Sequence, residues 1–148
     1  MKNTEITEEQ RNTLGLYIKL MRATNMVTGR IHNHLKVDNL TVSQFAVLEA
    51  LYHLGPLSQG ELVEKILKSN ANLTTVVDSL EKKQLVRRDR PESDRRRIVV
   101  HLTDAGESLI ARVFPRHAEV VEKELAFLKS DEKNMLASIL RRFKAEVQ

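Results

Sequence analysis

The 148-residue sequence contains no cysteine and no tryptophan. Without cysteine there is no disulfide framework, no thiol switch and no thiolate metal site, which agrees with a reducing, cytoplasmic setting. Aromatic residues make up 4% of the chain, too little to build the stacking platforms on which single-strand binders hold bases, so a nucleic-acid partner would be a duplex. No apolar run approaches the roughly 18 residues that a membrane helix needs. The start, Met1-Lys2-Asn3-Thr4-Glu5, lacks the apolar centre of a signal peptide, so no membrane partner is expected. Also missing are a Gly/Ser linker, an internal repeat, a phosphate loop, and the H-E-x-x-H and G-x-S-x-G patterns of hydrolases. Paired acids such as Glu8 and Glu9, or Glu122 and Glu124, fall on polar helix faces where solvation accounts for them. Neither catalysis nor a cofactor is expected.

What is present concentrates between Ser69 and Thr103. Leu73, Val76, Val77 and Leu80 recur at i, i+3, i+4 and i+7, one apolar stripe of a helix expected over 70–84. The opposite face carries Ala71, Thr75, Asp78, Ser79 and Lys82, with Thr74 on its flank and Asn70 and Asn72 in the first turn. Short amides and hydroxyls suit base edges in a major groove, although the same pattern fits a solvated amphipathic helix. Next come Val86 and the period-two set Ile98, Val100 and Leu102, on either side of the turn-forming run Arg90-Pro91-Glu92-Ser93-Asp94, which reads as a two-stranded hairpin. Residues 82–97 hold eight cations against three acids, a balance of +5, whereas the whole chain carries +4. The entire basic excess therefore sits beside the polar helix, as on a phosphate-binding surface.

Along the rest of the chain, Thr7-Glu8-Glu9-Gln10 has capping-box spacing and opens a helix reaching about residues 34–36. Leu14, Ile18 and Met21 form one ridge of it, and Val27, Ile31 and Leu35 another. At about 1.5 Å per residue such a helix outgrows a core of this size, which predicts that part of it packs on a second chain. Thr41-Val42-Ser43-Gln44 and Ser58-Gln59-Gly60-Glu61 are two further capping boxes, opening helices over 42–53 and 59–67, with Leu57 and Leu62 spaced as a hydrophobic staple. The amides that follow Ser58 are placed to hold a phosphate. Thr103 caps a helix interrupted by Pro115, which predicts a kink near Ala111 to Pro115 or a junction of two helices. A last helix starts at Ser130 and Asp131, with Met135, Leu136, Ile139, Leu140 and Phe143 on one face. The fold class is mainly α with a small β-hairpin wing: a winged helix-turn-helix over 37–103 between terminal helices over 7–36 and 104–147, all within one domain.

Asp94-Arg95-Arg96-Arg97-Ile98-Val99-Val100-His101-Leu102-Thr103 resembles the D-x-R and L-T wing signature of the MarR (multiple antibiotic resistance regulator) family of transcription factors. Helix order, Leu85-Val86-Arg87-Arg88 and Phe114-Pro115-Arg116-His117 extend the resemblance over nearly the whole chain. It implies a homodimeric repressor whose terminal helices dimerise, which binds a pseudopalindromic operator in double-stranded DNA and is released by a small aromatic or phenolic effector. Phe45-Ala46-Val47-Leu48-Glu49 and Glu81-Lys82-Lys83 are similar to a branch that responds to quinone-like or electrophilic compounds. Without cysteine such a ligand would bind non-covalently, and thiol-based peroxide sensing is excluded. By the same resemblance Arg96, with Arg95 as substitute, would enter the minor groove and Asp94 would orient it through an ion pair. Asn70, Asn72, Thr74 and Thr75 would read base edges, with Ser58, Lys82, Arg88 and Arg97 completing the DNA surface. Tyr17, Met21, Arg22, Phe45, Leu48, Tyr52 and Phe114 would line an effector site between the dimer helices and the winged helix. A metal-responsive repressor is the alternative, drawing on His32, His34, His53, His101 and His117, which are scattered in sequence.

Overall fold

A computed structural model describes residues 5–66 and 70–146, with the side chains of residues 70, 71, 145 and 146 outside the description. Helix α1 (Glu8–Leu35) runs into a short 3-10 turn (Lys36–Asp38), then α2 (Val42–Leu54), strand β1 (Leu57–Ser58), α3 (Gln59–Ile66) and α4 (Asn70–Lys82). Strands β2 (Val86–Asp89) and β3 (Val99–Leu102) form the wing, followed by α5 (Asp104–Glu124) and α6 (Ser130–Glu146). The capping boxes read from sequence are in place. Thr7 and Gln10 satisfy each other's backbone amides at the start of α1, as do Thr41 and Gln44 at α2. At α3, Ser58 N donates to Glu61 Oε2 at 2.7 Å and Glu61 N to Ser58 Oγ at 3.2 Å.

Two helix ends close with the chain in the left-handed region. After α1, Asn39 (φ 56°) donates to the Lys36 carbonyl and Leu40 to that of Leu35; after α4, Gln84 (φ 60°) donates to Glu81 and Leu85 to Leu80. Both are Schellman closures, which satisfy carbonyls that a helix end would leave bare. The second stops α4 at Lys82 and not at residue 84. Leu57 also pairs with Val100, which its spacing did not foretell, adding β1 to the edge of a three-stranded antiparallel sheet of order β1-β3-β2. In the wing, Val86 pairs with Leu102 and Asp89 with Val99. Helix α5 passes through Pro115 as one element, so two helices do not meet there.

The core joins Phe45, Val47, Leu48 and Leu51 of α2, Leu62 of α3, Leu73, Val77 and Leu80 of α4, and Val86 and Val100 of the wing. It is completed by Leu35 at the end of α1 and by Ile110 and Val113 of α5. The stripe read on α4 is thus the face that anchors it, and its other side turns outward. The outer parts of the terminal helices behave oppositely: Leu14, Tyr17, Ile18 and Met21 of α1 and Met135, Leu136, Ile139, Leu140 and Phe143 of α6 are all exposed.

Candidate nucleic-acid interface and the junction behind it

On α4, Asn72, Thr74, Thr75 and Asp78 are exposed, opposite the buried Leu73, Val77 and Leu80. Asn70 opens the helix, but its side chain lies outside the described residues. Gln59 Nε2 donates to Thr74 Oγ1 at 2.7 Å, tying the start of α3 to α4. Ser79, read as outward-facing, is half-buried and accepts from Gln44 Nε2 at 2.9 Å, because α2 crosses behind it.

The cations of residues 82–97 divide into two groups. Lys83 Nζ donates to the Asn39 carbonyl and to Gln44 Oε1, fastening the turn after α4 to α2. Arg88 reaches from β2 to Asp78 at 2.6 Å and to Glu81 at 3.5 Å. Arg90 Nη1 donates to the Arg95 carbonyl at 2.9 Å, bracing the hairpin tip from within. Arg97 Nη2 lies 3.3 Å from Glu61 Oε1, and Arg87 sits 3.7 Å from Asp89. Lys82, Arg95 and Arg96 are exposed, and among the described residues their charged groups have no protein partner.

Three expectations from the sequence change here. Asp94 does not orient Arg96 by an ion pair: its Oδ1 accepts the Arg96 backbone amide at 3.1 Å, while its own carbonyl accepts from Arg97 N. The carboxylate therefore folds the tip and leaves the Arg96 guanidinium outside. The amides of Ser58, Gln59 and Glu61 are taken within the protein, by Glu61 Oε2, the Ile98 carbonyl and Ser58 Oγ, and so do not face a phosphate. Arg97 faces back toward α3. Its partner Glu61 is held below the usual carboxylate range, chiefly by the Ser58 amide and hydroxyl and then by Arg97. A cleft of about 420 Å³ lies between this end of α3 and the wing, with Arg96 on its rim.

The L-T end of the wing signature has a packing role. Thr103 Oγ1 accepts the Gly106 amide, capping α5, and donates to the Gln84 carbonyl at 2.7 Å. Thr103 N donates to the Leu85 carbonyl. One residue thus joins the wing, the turn after α4, and α5.

The proposed effector residues do not converge within one chain. Phe45 and Leu48 are core, at 3% and 0% exposure. Tyr52 is exposed and meets Phe114 through His53, with ring centroids 5.2 and 4.7 Å apart. Tyr17, Met21 and Arg22 are exposed on α1. The cleft beside Tyr17 is lined by Ile6, Thr7 and neighbouring residues of α1. What the sequence reading missed is a polar cluster where α1, α2 and α5 meet. Asp38, with a side chain 4% exposed, pairs with Arg112 at 2.9 Å and with Arg116. Arg116 Nε donates to His34 Nδ1 at 3.2 Å; His117 stacks on Phe45 at 4.2 Å and lies 5.7 Å from His34. The His34 Nε2 and His117 Nδ1 atoms are buried, with no partner among the described residues. Burial keeps both histidines below their ordinary pKa, and for His34 Arg116 and His117 add to the effect. No sequence pattern announces such a cluster, because its members lie up to 83 positions apart, as His34 and His117 do. Among the described residues, no three of His, Cys, Asp and Glu gather as metal ligands.

The MarR family model matches residues 40–98, the stretch from the buried Leu40 to the residue before β3. The helix-turn-helix transcriptional regulator MhqR of Bacillus subtilis is 34% identical over 130 residues, covering 88% of this chain and 90% of that protein. The chain belongs to the MarR family. It is accordingly a helix-turn-helix transcriptional regulator of the MarR type. Among solved structures, BpsR of Bordetella bronchiseptica, whose DNA binding is regulated by 6-hydroxynicotinic acid, superposes with a TM-score of 0.81 at 24% identity, covering 88% of this chain and 98% of that one. A mutant MarR from Escherichia coli complexed with operator DNA gives a TM-score of 0.83 at 20% identity, covering 93% and 99%. Both show the MarR fold. Among the described residues of this MarR-family chain, no helix is long and apolar enough to cross a membrane.

Proposed function

We propose that the chain works as a homodimeric repressor that grips a pseudopalindromic duplex with α4 and the wing and is released by a small aromatic effector carrying an acceptor group. The observation that carries the DNA reading is the division of the cations: Lys82, Arg95 and Arg96 point outward beside the polar face of α4, while their neighbours are tied into the protein. In this reading Arg95 and Arg96 lie in the minor groove between its flanking phosphates, and Lys82 holds a further phosphate. Asn70, Asn72, Thr74 and Thr75 face base edges, and Asp94 and Arg97 shape the wing. The apolar faces of α1 and α6 supply the dimer contact, and a symmetric dimer favours half-sites about 34–36 Å apart.

The effector reading draws on the junction and on relatives. 6-Hydroxynicotinic acid regulates DNA binding by BpsR. In this chain Arg116 donates to His34 Nδ1, so a neutral His34 carries its proton on Nε2, the buried atom with no partner among the described residues. A carboxylate or phenolate oxygen satisfies such a donor; Phe45 lies against His117 beside it, and Tyr52 and Phe114 flank His53. In a dimer, Tyr17, Met21 and Arg22 of α1 would close the site. The ligand weakens DNA binding by favouring a dimer whose wings are wrongly spaced.

Fluorescence anisotropy with duplex DNA tests the first part: affinity falls steeply with salt, and a flat dependence refutes the reading. For the second, phenolic, quinone-like and hydroxylated aromatic acids are titrated into the complex. Release at micromolar to millimolar concentration, blunted by Tyr52→Ala or Arg22→Ala, supports the reading. Release that follows added zinc and reverses with a chelator replaces it.

A further inference from the structure

We propose that Arg88 is a positioning residue of the DNA-binding surface and not one of its phosphate contacts: it neutralises the two carboxylates that α4 would otherwise turn toward DNA. The inference rests on the reading of α4 and the wing as the DNA surface. Asp78 and Glu81 lie three positions apart, on adjoining parts of the outward side of α4, with side chains 52% and 45% exposed. Two bare acids there would face the phosphate backbone with like charge. Arg88 stands over both. Its Nη2 is 2.6 Å from Asp78 Oδ1 and donates to the Thr74 carbonyl at 3.4 Å; its Nη1 is 3.5 Å from Glu81 Oε1; its backbone amide donates to Glu81 Oε2 at 3.1 Å. The planar guanidinium fork matches this arrangement, which a lysine could not reproduce.

Exposure separates Arg88 from its neighbours. Its side chain is 21% exposed, against 57% for Arg87. To reach a phosphate it would have to leave both acids and the Thr74 carbonyl, uncovering two negative charges to place one positive one. The same contacts run from β2 to α4, so Arg88 also sets the wing at a fixed attitude to the helix that reads bases.

The test uses full-length protein and a mixed-sequence duplex, whose binding depends on phosphates alone. Each phosphate contact removed lowers the slope of log affinity against log salt by about 0.9. Arg88→Ala is expected to weaken binding about tenfold through the exposed acids, a loss that salt screens, so its slope is read in a background of Asp78→Asn and Glu81→Gln, where it should stay within about 0.3 of the double variant. Arg96→Ala, made in parallel, lowers the slope by about one. Adding Asp78→Asn and Glu81→Gln to Arg88→Ala is expected to restore affinity to within about threefold of wild type, since the repulsion is gone. A slope reduced by about one when Arg88→Ala is added to Asp78→Asn and Glu81→Gln, or a triple variant no better than the single one, overturns the proposal. If circular dichroism shows that Arg88→Ala does not fold, Arg88→Gln, which keeps an amide to donate to Asp78, replaces it in the same comparison. Wild-type protein that shows no salt-dependent DNA binding refutes the DNA reading itself, a result distinct from either outcome for Arg88.

Discussion

Three neighbouring arginines of the wing tip look interchangeable in sequence and differ in the folded chain. Arg97 turns back to Glu61, whereas Arg95 and Arg96 face solvent. Arg95→Ala and Arg96→Ala should therefore each reduce the salt slope of DNA binding by about one, while Arg97→Ala weakens binding with little change in slope. Equal slope losses for all three would show that Arg97 leaves Glu61 on DNA. The junction gives a second residue-scale expectation. Removing the Asp38 carboxylate leaves two guanidinium groups facing one another, but both are partly exposed, so Asp38→Ala should cost about 1–3 kcal/mol, less than a fully buried pair would. Urea unfolding measures it. His34 and His117 set the pH response. The unfolded chain takes up protons near 6.5, whereas the folded chain resists them until lower pH. The unfolded state therefore binds more protons in that window, and stability falls as pH drops below 6.5 toward the lowered native values. The groups around the pair are Arg116, Asp38 and Phe45, and His117→Phe should flatten the fall. Urea midpoints that do not move between neutral and mildly acidic pH would contradict this. None of these pairings was legible beforehand, because a side chain's partner depends on contacts that spacing does not encode. The identity of the basic stretch, by contrast, was plain from charge alone.

At the scale of elements the sequence spoke more clearly. Thr7, Thr41 and Ser58 mark three helix starts through reciprocal side-chain to backbone bonds, which are local and so appear as local patterns. Strand β1 was invisible for the converse reason: two residues carry no period, and only Val99 and Val100, some forty positions later, make them a strand. Pro115 promised a break or a kink, and α5 continues through it as one element with its neighbours Val113 and Phe114 packed on the lobe. The end of α4 depends on Gln84 accepting a left-handed conformation, where a Cβ is unfavourable. Gln84→Gly should therefore stabilise the protein by about 0.5–1 kcal/mol in thermal or urea unfolding, provided the gain exceeds the entropy of the added glycine. A loss would mean that the Gln84 side chain contributes more than its backbone costs. Gly106 poses the reverse case. A Cβ there would land on the Leu85 carbonyl oxygen, the acceptor of Thr103 N, so α5 and the wing base must move apart. Gly106→Ala is expected to destabilise by about 1–3 kcal/mol, as overpacking does, whereas Gly15→Ala, with open space around it, should not.

Taken whole, the molecule divides its apolar surface between two uses. The ridge of Val27, Ile31 and Leu35 leads into the chain's own core, and the ridge of Leu14, Ile18 and Met21 remains uncovered together with one face of α6. A charge placed on that face, as in Leu140→Glu, should lower the sedimentation-derived mass toward a monomer and weaken operator binding by more than tenfold, because two half-sites no longer act through one body. A monomer that binds as tightly would separate dimerisation from recognition. The uncovered ridges lie on helices apart from α4 and the wing tip. On the reading proposed above, self-recognition and sequence-reading reside on different parts of the chain and can change independently. A cell holding several proteins of this architecture can keep their subunits from exchanging by altering α1 and α6 alone. Conversely, joining the terminal helices of this chain to a foreign recognition helix would yield mixed dimers that read an asymmetric site, one half for each parent.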